Sequence, residues 1–278
     1  MKPLKTLIAL LLTCVVAAPW PARSADDNSI VVASTTSTQD SGLFEYLLPL
    51  VHSRTGLSVH VIAQGTGQAL DTARRGDADV VFVHDKEAEE AFVAEGHGVQ
   101  RLPVMYNDFV LVGPGADPAH VRGLRDVTQA LHAISASHST FISRGDRSGT
   151  HQAELRLWAA AGIAIDIGKD TWYRSVGQGM GAALNMASAS NAYVLADRAT
   201  WVRFGNKADL QILSEGDPRL FNQYGVIMVN PERHPAVKQQ LARQFVDYLT
   251  SPEGQNDIGR YRIDGQQVFY PNARAAAR

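Results

Sequence analysis

The sequence predicts an α/β protein of two lobes, each a mostly parallel sheet flanked by helices. Three observations carry that expectation. Short apolar runs alternate with amphipathic segments along the chain. Turn-forming clusters punctuate it at Gly113-Pro114-Gly115 and Gly216-Asp217-Pro218. Without its N-terminal leader the chain keeps about 250 residues, enough for two lobes of ordinary size.

The leader is read first. Lys2 and Lys5 precede the apolar stretch Leu7 to Ala18, and Pro19, Pro21 and the run Ala22-Arg23-Ser24-Ala25 follow. This is the pattern of a secretory signal peptide over residues 1–24, with cleavage after Ser24 or after Ala25. Its apolar stretch is shorter than the roughly 20 residues a helix needs to span a bilayer. The mature chain is therefore expected to be soluble and outside the cytoplasm. Cys14, the single cysteine, lies in the leader, so the mature chain has no thiol for a disulfide, a thiolate metal site or a nucleophile. Leu11-Leu12-Thr13-Cys14 faintly resembles a lipoprotein processing site, but Thr13 is larger than such a site prefers.

Removing Lys2, Lys5 and Arg23 with the leader takes the formal net charge from −2 to −5. A net-acidic chain without a basic run is a poor nucleic-acid binder. Any anion site must be local, made of aimed donors.

The first lobe is expected over residues 25–112 and 215–278. It opens with the strand Ile30-Val31-Val32-Ala33 and a helix from Leu43 to Val51. The strand Val59-His60-Val61-Ile62 and a helix from Ala69 to Arg74 follow, then Val80-Val81-Phe82-Val83 and the acidic helical stretch Asp85 to Glu95. The second lobe, residues 113–214, repeats the scheme: the Phe141-Ile142 strand, a helix from Thr150 to Ala161, another near Gly179 to Ser188, and the Ala192-Tyr193-Val194 strand. Val226-Ile227-Met228-Val229 and a helix from His234 to Leu249 close the chain, with an unstructured tail expected from Ala273 to Arg278.

In such sheets ligands sit at the carboxyl ends of strands, and four strand-to-helix loops there carry the chemistry. Ser34-Thr35-Thr36-Ser37-Thr38 offers five hydroxyls, of which a helix cap and a polar turn explain one or two. Gln64-Gly65-Thr66-Gly67-Gln68 lets backbone approach a ligand. In Ser143-Arg144-Gly145-Asp146-Arg147-Ser148-Gly149-Thr150 a helix N-terminus, two hydroxyls and the Arg144 fork suit an oxyanion. Ser175-Val176-Gly177-Gln178-Gly179-Met180-Gly181 exposes backbone amides at another helix start.

These loops, with Gln39-Asp40-Ser41-Gly42-Leu43, Val83-His84-Asp85-Lys86, Pro103 to Phe109 and Ser251-Pro252-Glu253-Gly254-Gln255, resemble the tungstate-binding proteins of the TupA type from about Ile30 to Asn272. The resemblance implies a type II periplasmic binding fold with two crossovers and a ligand in the cleft. It also implies a periplasmic, monomeric solute-binding protein that serves an ABC importer, binds tungstate or next molybdate, and needs no cofactor. Ser34 replaces the usual leading threonine, which keeps the donor; Asp85 stands where many relatives are expected to have a smaller residue. Carried over, the ligand contacts are Ser34, Thr35, Thr66, Arg144, Ser148, Gly149 and Thr150, with Gln178 and Gly179 beside them.

Tungstate and molybdate are fully ionised near neutral pH, so their site needs donors only, whereas a phosphate keeps a proton that needs an acceptor. Phosphate is the nearest rival, because the third loop also resembles the Arg-x-Asp-x-Ser-Gly-Thr stretch of phosphate-binding proteins. Asp146 and Asp85 are the carboxylates near enough in sequence to accept, and Asp146 is expected to orient Arg144 or cap the helix instead. A hydrolase using Ser148 and His151 is the rival from another class; no Gly-x-Ser-x-Gly elbow and no His-x-x-x-His pair supports catalysis or a metal site. A signalling subunit that binds the same anion is a third reading.

Overall fold

The computed structural model describes residues 28–273; the leader with Cys14 and its cleavage region, and the tail from residue 274 on, lie outside the described residues. In chain order the strands are β1 (Ser29–Thr35), β2 (Ser58–Gln64), β3 (Val80–Val83), β4 (Gly98–Pro114), β5 (Phe141–Ser143), β6 (Tyr173–Ser175), β7 (Tyr193–Asp197), β8 (Leu210–Ser214) and β9 (Phe221–Val229), followed by the two-residue β10 (Arg262–Ile263), β11 (Gln266–Gln267) and β12 (Tyr270–Pro271). The helices are α1 (Thr36–Asp40), α2 (Leu43–Thr55), α3 (Thr66–Arg74), α4 (Lys86–Ala94), α5 (Val127–Ala136), α6 (Gly149–Ala160), α7 (Met180–Ser190), α8 (Arg198–Arg203), α9 (Gln239–Thr250) and α10 (Pro252–Arg260).

The strand order β2-β1-β3-β9-β4-β7-β5-β6 contains two similar halves. In the first, β1 lies parallel between β2 and β3; in the second, β5 lies parallel between β6 and β7. Antiparallel β9 and β4 run between them. Each parallel strand feeds a helix that packs back on its sheet, as the alternating pattern requires.

Both faces of each half are covered, so successive residues of one strand enter different cores. Val80 and Phe82 pack with Leu43, Leu47 and Phe245, whereas Val81 and Val83 pack with Leu70, Ala73 and Phe92. In the second half Phe109, Leu111 and Phe141 join Trp158 and Tyr173, while Val110, Val112 and Ile142 join Met180 and Leu184. Burial on both faces is why these strands read as unbroken apolar runs.

Strand β4 exchanges partners without breaking. It pairs with β9 up to Asp108 and with β7 from Phe109, and Gly113 and Pro114 end it beside β8. Asn107 on β4 stands opposite Asn222 on β9, immediately before the exchange.

Two details at the C-terminal end differ from the sequence expectation. Helix α9 starts at Gln239, because residues from His234 form turns and the buried Asp79 carboxylate holds the Lys238 N–H at 2.8 Å. Helix α10 follows directly, with Ser251 as N-cap and Pro252 at its first turn. No helix among the described residues is long and apolar enough to cross a membrane.

Candidate functional site

Strands β1, β2, β5 and β6 all deliver their carboxyl ends to one cleft, but Ser34 to Thr38 is not the loop the sequence suggested: Ser34 and Thr35 end β1 and Thr36 to Thr38 begin α1, with the Thr35 hydroxyl as its cap. Thr36, Gly65, Gly145, Asp146, Gln178 and Gly179 line it together. The loops touch across it: the Gly149 N–H donates to the Thr66 Oγ1 at 3.0 Å, and Arg144 Nη2 donates to the Thr36 Oγ1 at 3.2 Å. Gly65 is small for a reason, since a Cβ there would lie 3.1 Å from the Asp146 carbonyl oxygen. Gly145 is required too: its φ is +63°, and a Cβ would fall 1.7 Å from the Ser175 hydroxyl.

Arg144, at the end of β5, is 1% exposed. Its Nε and Nη2 donate to Asp146 Oδ2 at 3.2 and 2.5 Å, and Nη1 reaches the Thr150 hydroxyl at 3.5 Å. The other Asp146 oxygen takes the Ser148 N–H at 3.1 Å. Burial raises the Asp146 pKa, but Arg144 and the Ser148 bonds outweigh it and hold the carboxyl below its ordinary value. Asp146 thus orients the guanidinium and pins the turn into α6. The Arg144 carbonyl in turn accepts the Gln178 N–H at 3.2 Å, which ties the third loop to the fourth.

The hydroxyls differ in what is left to their protons. A hydroxyl has one proton to give and two lone pairs. Thr66 accepts the Gly149 N–H, Ser148 the His151 N–H, Thr35 the Thr38 N–H and Thr150 a guanidinium N–H. Thr66 and Thr150 are held through their oxygens, and their own protons remain available to an acceptor-only ligand. The Thr35 hydroxyl also meets those of Ser37 and Thr38 at 3.2 and 2.7 Å, the Ser148 hydroxyl bonds the Asp146 carboxylate, and Ser34 gives its proton to the Phe82 carbonyl at 2.5 Å across β1 and β3. Gly149 directs its N–H at Thr66, and Gly179 precedes α7, which has no side-chain cap bond at its start. Gln178 is exposed.

Asp85 is turned elsewhere: it caps α4 through the Ala88 N–H and lies 3.4 Å from Arg156. Arg147 is exposed in a left-handed turn with φ of 57°. The Ser148 oxygen faces the His151 backbone N–H, and the His151 ring takes the Arg147 N–H at Nδ1. The two side chains are therefore engaged with backbone rather than with one another.

Sequence reasoning passed over His84 as a site residue. It is buried against Ser37 Oγ, 2.8 Å from Nε2, and Asn222 Oδ1, 3.0 Å from Nδ1. Burial, and then the charge of Arg144, lower its pKa to about 4, so the ring is neutral near pH 7. Its place after an apolar strand, at a ligand-bearing carboxyl end, was the signal available in the sequence.

The geometry is that of a cleft between two parallel-sheet units, and a family comparison agrees: the PBP superfamily domain spans residues 21–253. The chain belongs to the PBP superfamily, among its TupA-type members. Within that family it is 44% identical over 275 residues to the tungstate-binding protein TupA of Peptoclostridium acidaminophilum, covering 96% of this chain and 95% of that one. A putative ABC transporter anion-binding protein of Haloferax volcanii is 45% identical, over 88% of this chain and 72% of its own. Among solved structures, the tungstate-binding TupA of Desulfovibrio alaskensis G20 superposes with a TM-score of 0.76 at 42% identity, covering 88% of this chain and 99% of that chain. A tungstate ABC transporter structure from Geobacter sulfurreducens gives 0.77 at 48% identity, covering 84% and 99%. This PBP-superfamily chain thus shares its type II α/β fold with them.

Proposed function

We propose that the chain captures a fully ionised tetrahedral oxyanion, tungstate, in the cleft between its lobes and delivers it to an ABC importer in the membrane. The observation that carries this reading is the direction of the polar groups. Arg144 is buried in the cleft, Thr66 and Thr150 each accept a bond that leaves a proton to donate, and the hydroxyls of Thr35 and Ser148 stand beside them. A site of donors suits an anion that carries no proton. The TupA relatives supply the name of such an anion.

On this reading Thr66, Arg144 and Thr150 donate to the oxygens, with Thr35 and Ser148 beside them. Gly149, Gln178 and Gly179 place backbone around them, and Ser34 shapes the first loop. The sheet of β2-β1-β3-β9 forms one lobe and that of β7-β5-β6 the other, with the chain crossing at Asp108/Phe109 and returning near Phe221. The leader exports the protein to the periplasm, where it works as a monomer. Molybdate is the next ligand, being equally free of protons.

Phosphate fits less well, since Asp146, the carboxylate in the cleft, is committed to Arg144 and the Ser148 N–H. Hydrolysis is also disfavoured, because neither Ser148 nor His151 turns its side chain to the other. Calorimetric titration with tungstate, molybdate, phosphate and sulfate tests the reading. Tight binding of the first two and weak binding of the others is expected; phosphate binding as tight as tungstate overturns it.

A further inference from the structure

Ser37, His84, Asn222 and Asn107 form one continuous buried chain. All four are at most 3% exposed. Ser37 Oγ lies 2.8 Å from His84 Nε2, His84 Nδ1 lies 3.0 Å from Asn222 Oδ1, and Asn222 Nδ2 donates to Asn107 Oδ1 at 2.7 Å. Its two ends differ in kind. One end is the first turn of α1, directly after β1, and the other is the pair of strands that run between the two halves, at the point where β4 exchanges partners.

The hydrogen bonds fix the roles. Asn222 presents its carbonyl oxygen to Nδ1, so Nδ1 carries the ring proton, and Nε2 is a bare acceptor that takes the Ser37 proton. Ser37 also lies 3.2 Å from Thr35 Oγ1. With its own proton drawn to His84, Ser37 can only accept from Thr35, whose oxygen takes the Thr38 N–H, so His84 sets the direction of the hydrogen bonds along this hydroxyl run.

The ring is also wedged sterically. It packs 4.8 Å from the Tyr224 ring and 6.3 Å from that of Phe109. A Cβ on Gly149 would come within 3.0 Å of its edge, so the start of α6 rests against it.

We propose that His84 is a positioning residue for oxyanion capture, fastening the start of α1 and its Thr35–Ser37 hydroxyls to the strands that cross between the two halves by accepting from Ser37 and donating to Asn222. This inference rests on the oxyanion reading of the cleft. Partners that orient the groups holding a bound metal typically change affinity 10- to 100-fold, and a loss of about that size is expected for this analogous role.

The test is calorimetry with tungstate on the wild-type protein and on His84→Phe, His84→Asn and His84→Gln, with thermal melts of each. Nitrogen-15 NMR of the wild-type histidines is recorded alongside. Gln reaches the position of Nε2 with an acceptor, whereas Asn reaches only that of Nδ1 and Phe keeps the packing alone. Loss of affinity in His84→Phe and His84→Asn with partial recovery in His84→Gln, which restores the acceptor for Ser37 but not the bond to Asn222, is the expected pattern, together with an Nδ1–H tautomer for His84. Equal affinity in all four proteins, no recovery in His84→Gln, or an Nε2–H tautomer overturns the proposal. Should His84→Phe not fold, the tautomer and the Gln–Asn contrast decide. A wild-type protein that binds no tungstate sinks the oxyanion reading instead, and the tautomer still judges the role of His84.

Discussion

The backbone N–H of Gly149 donates to the Thr66 hydroxyl across 3.0 Å, joining the first residue of α6 to the first residue of α3. Those helices pack on different sheets, so this bond fastens the two sides of the cleft. It also leaves the Thr66 proton free to donate.

Thr66→Val keeps the shape and removes the hydroxyl. It leaves the buried Gly149 N–H without its acceptor, a loss of about 1 to 3 kcal/mol, and it removes a donor to the anion. Tungstate affinity is expected to fall about tenfold or more. Small-angle scattering of the unliganded variant should show a larger radius of gyration than the wild type. Unchanged affinity and radius would show that this bond does not fasten the cleft.

Arg144→Ala removes the buried cation of the cleft and strands the Asp146 carboxylate. Binding should weaken by about 2 to 5 kcal/mol, the range for truncating one side of a buried charge pair. Arg147→Ala, at an exposed neighbour on the rim of the cleft, should cost much less. Calorimetry on both variants checks the order, and the reverse order would mean the third loop is read in the wrong register.

Gly145→Ala tests the turn itself. A side chain at φ +63° is strained, and its Cβ would overlap the Ser175 hydroxyl. The left-handed conformation alone costs about 1 to 2 kcal/mol, so both melting temperature and tungstate affinity should fall. A variant with wild-type values for both would show that the turn adapts without disturbing Arg144.

Stability should also report on Glu154, which is buried on α6 and accepts from Tyr173 Oη at 2.6 Å and Trp158 Nε1 at 3.2 Å. Burial, only partly offset by these bonds, raises its pKa to about 7. Because the folded value is raised, the unfolded chain loses this proton first as pH rises. The contribution is therefore full below the ordinary glutamate value and is lost between about pH 4.5 and 7. Glu154→Gln keeps both bonds and should flatten that decline in chemical denaturation. An identical pH slope in the two proteins would show that Glu154 is not the group responsible.

The parallel-sheet architecture was legible because β1, β3 and β5 are buried on both faces and so appear as bare apolar runs. Ser148 and Thr150 were legible because a helix start after such a run is a ready anion site. Two features left weaker traces. The exchange of partners within β4 at Asp108/Phe109 keeps the backbone extended, so no turn residue announces it. His84 acts through partners 47 and 138 residues away, and no local pattern encodes pairings at that separation. The direction of each hydroxyl was equally hidden: Ser34 and Thr35 are neighbours of one type, yet the first gives its proton to Phe82 and the second accepts from Thr38.

The central claim is a site of donors without a free acceptor, and proton count tests it most directly. Arginine stays charged across the neutral range, and Asp146 is already committed to Arg144. Calorimetry with tungstate from about pH 6.5 to 8.5, with phosphate as competitor, should give a nearly flat tungstate affinity that excess phosphate barely displaces. Phosphate binding as tight as tungstate would contradict the account, because it would require Asp146 to accept a ligand proton.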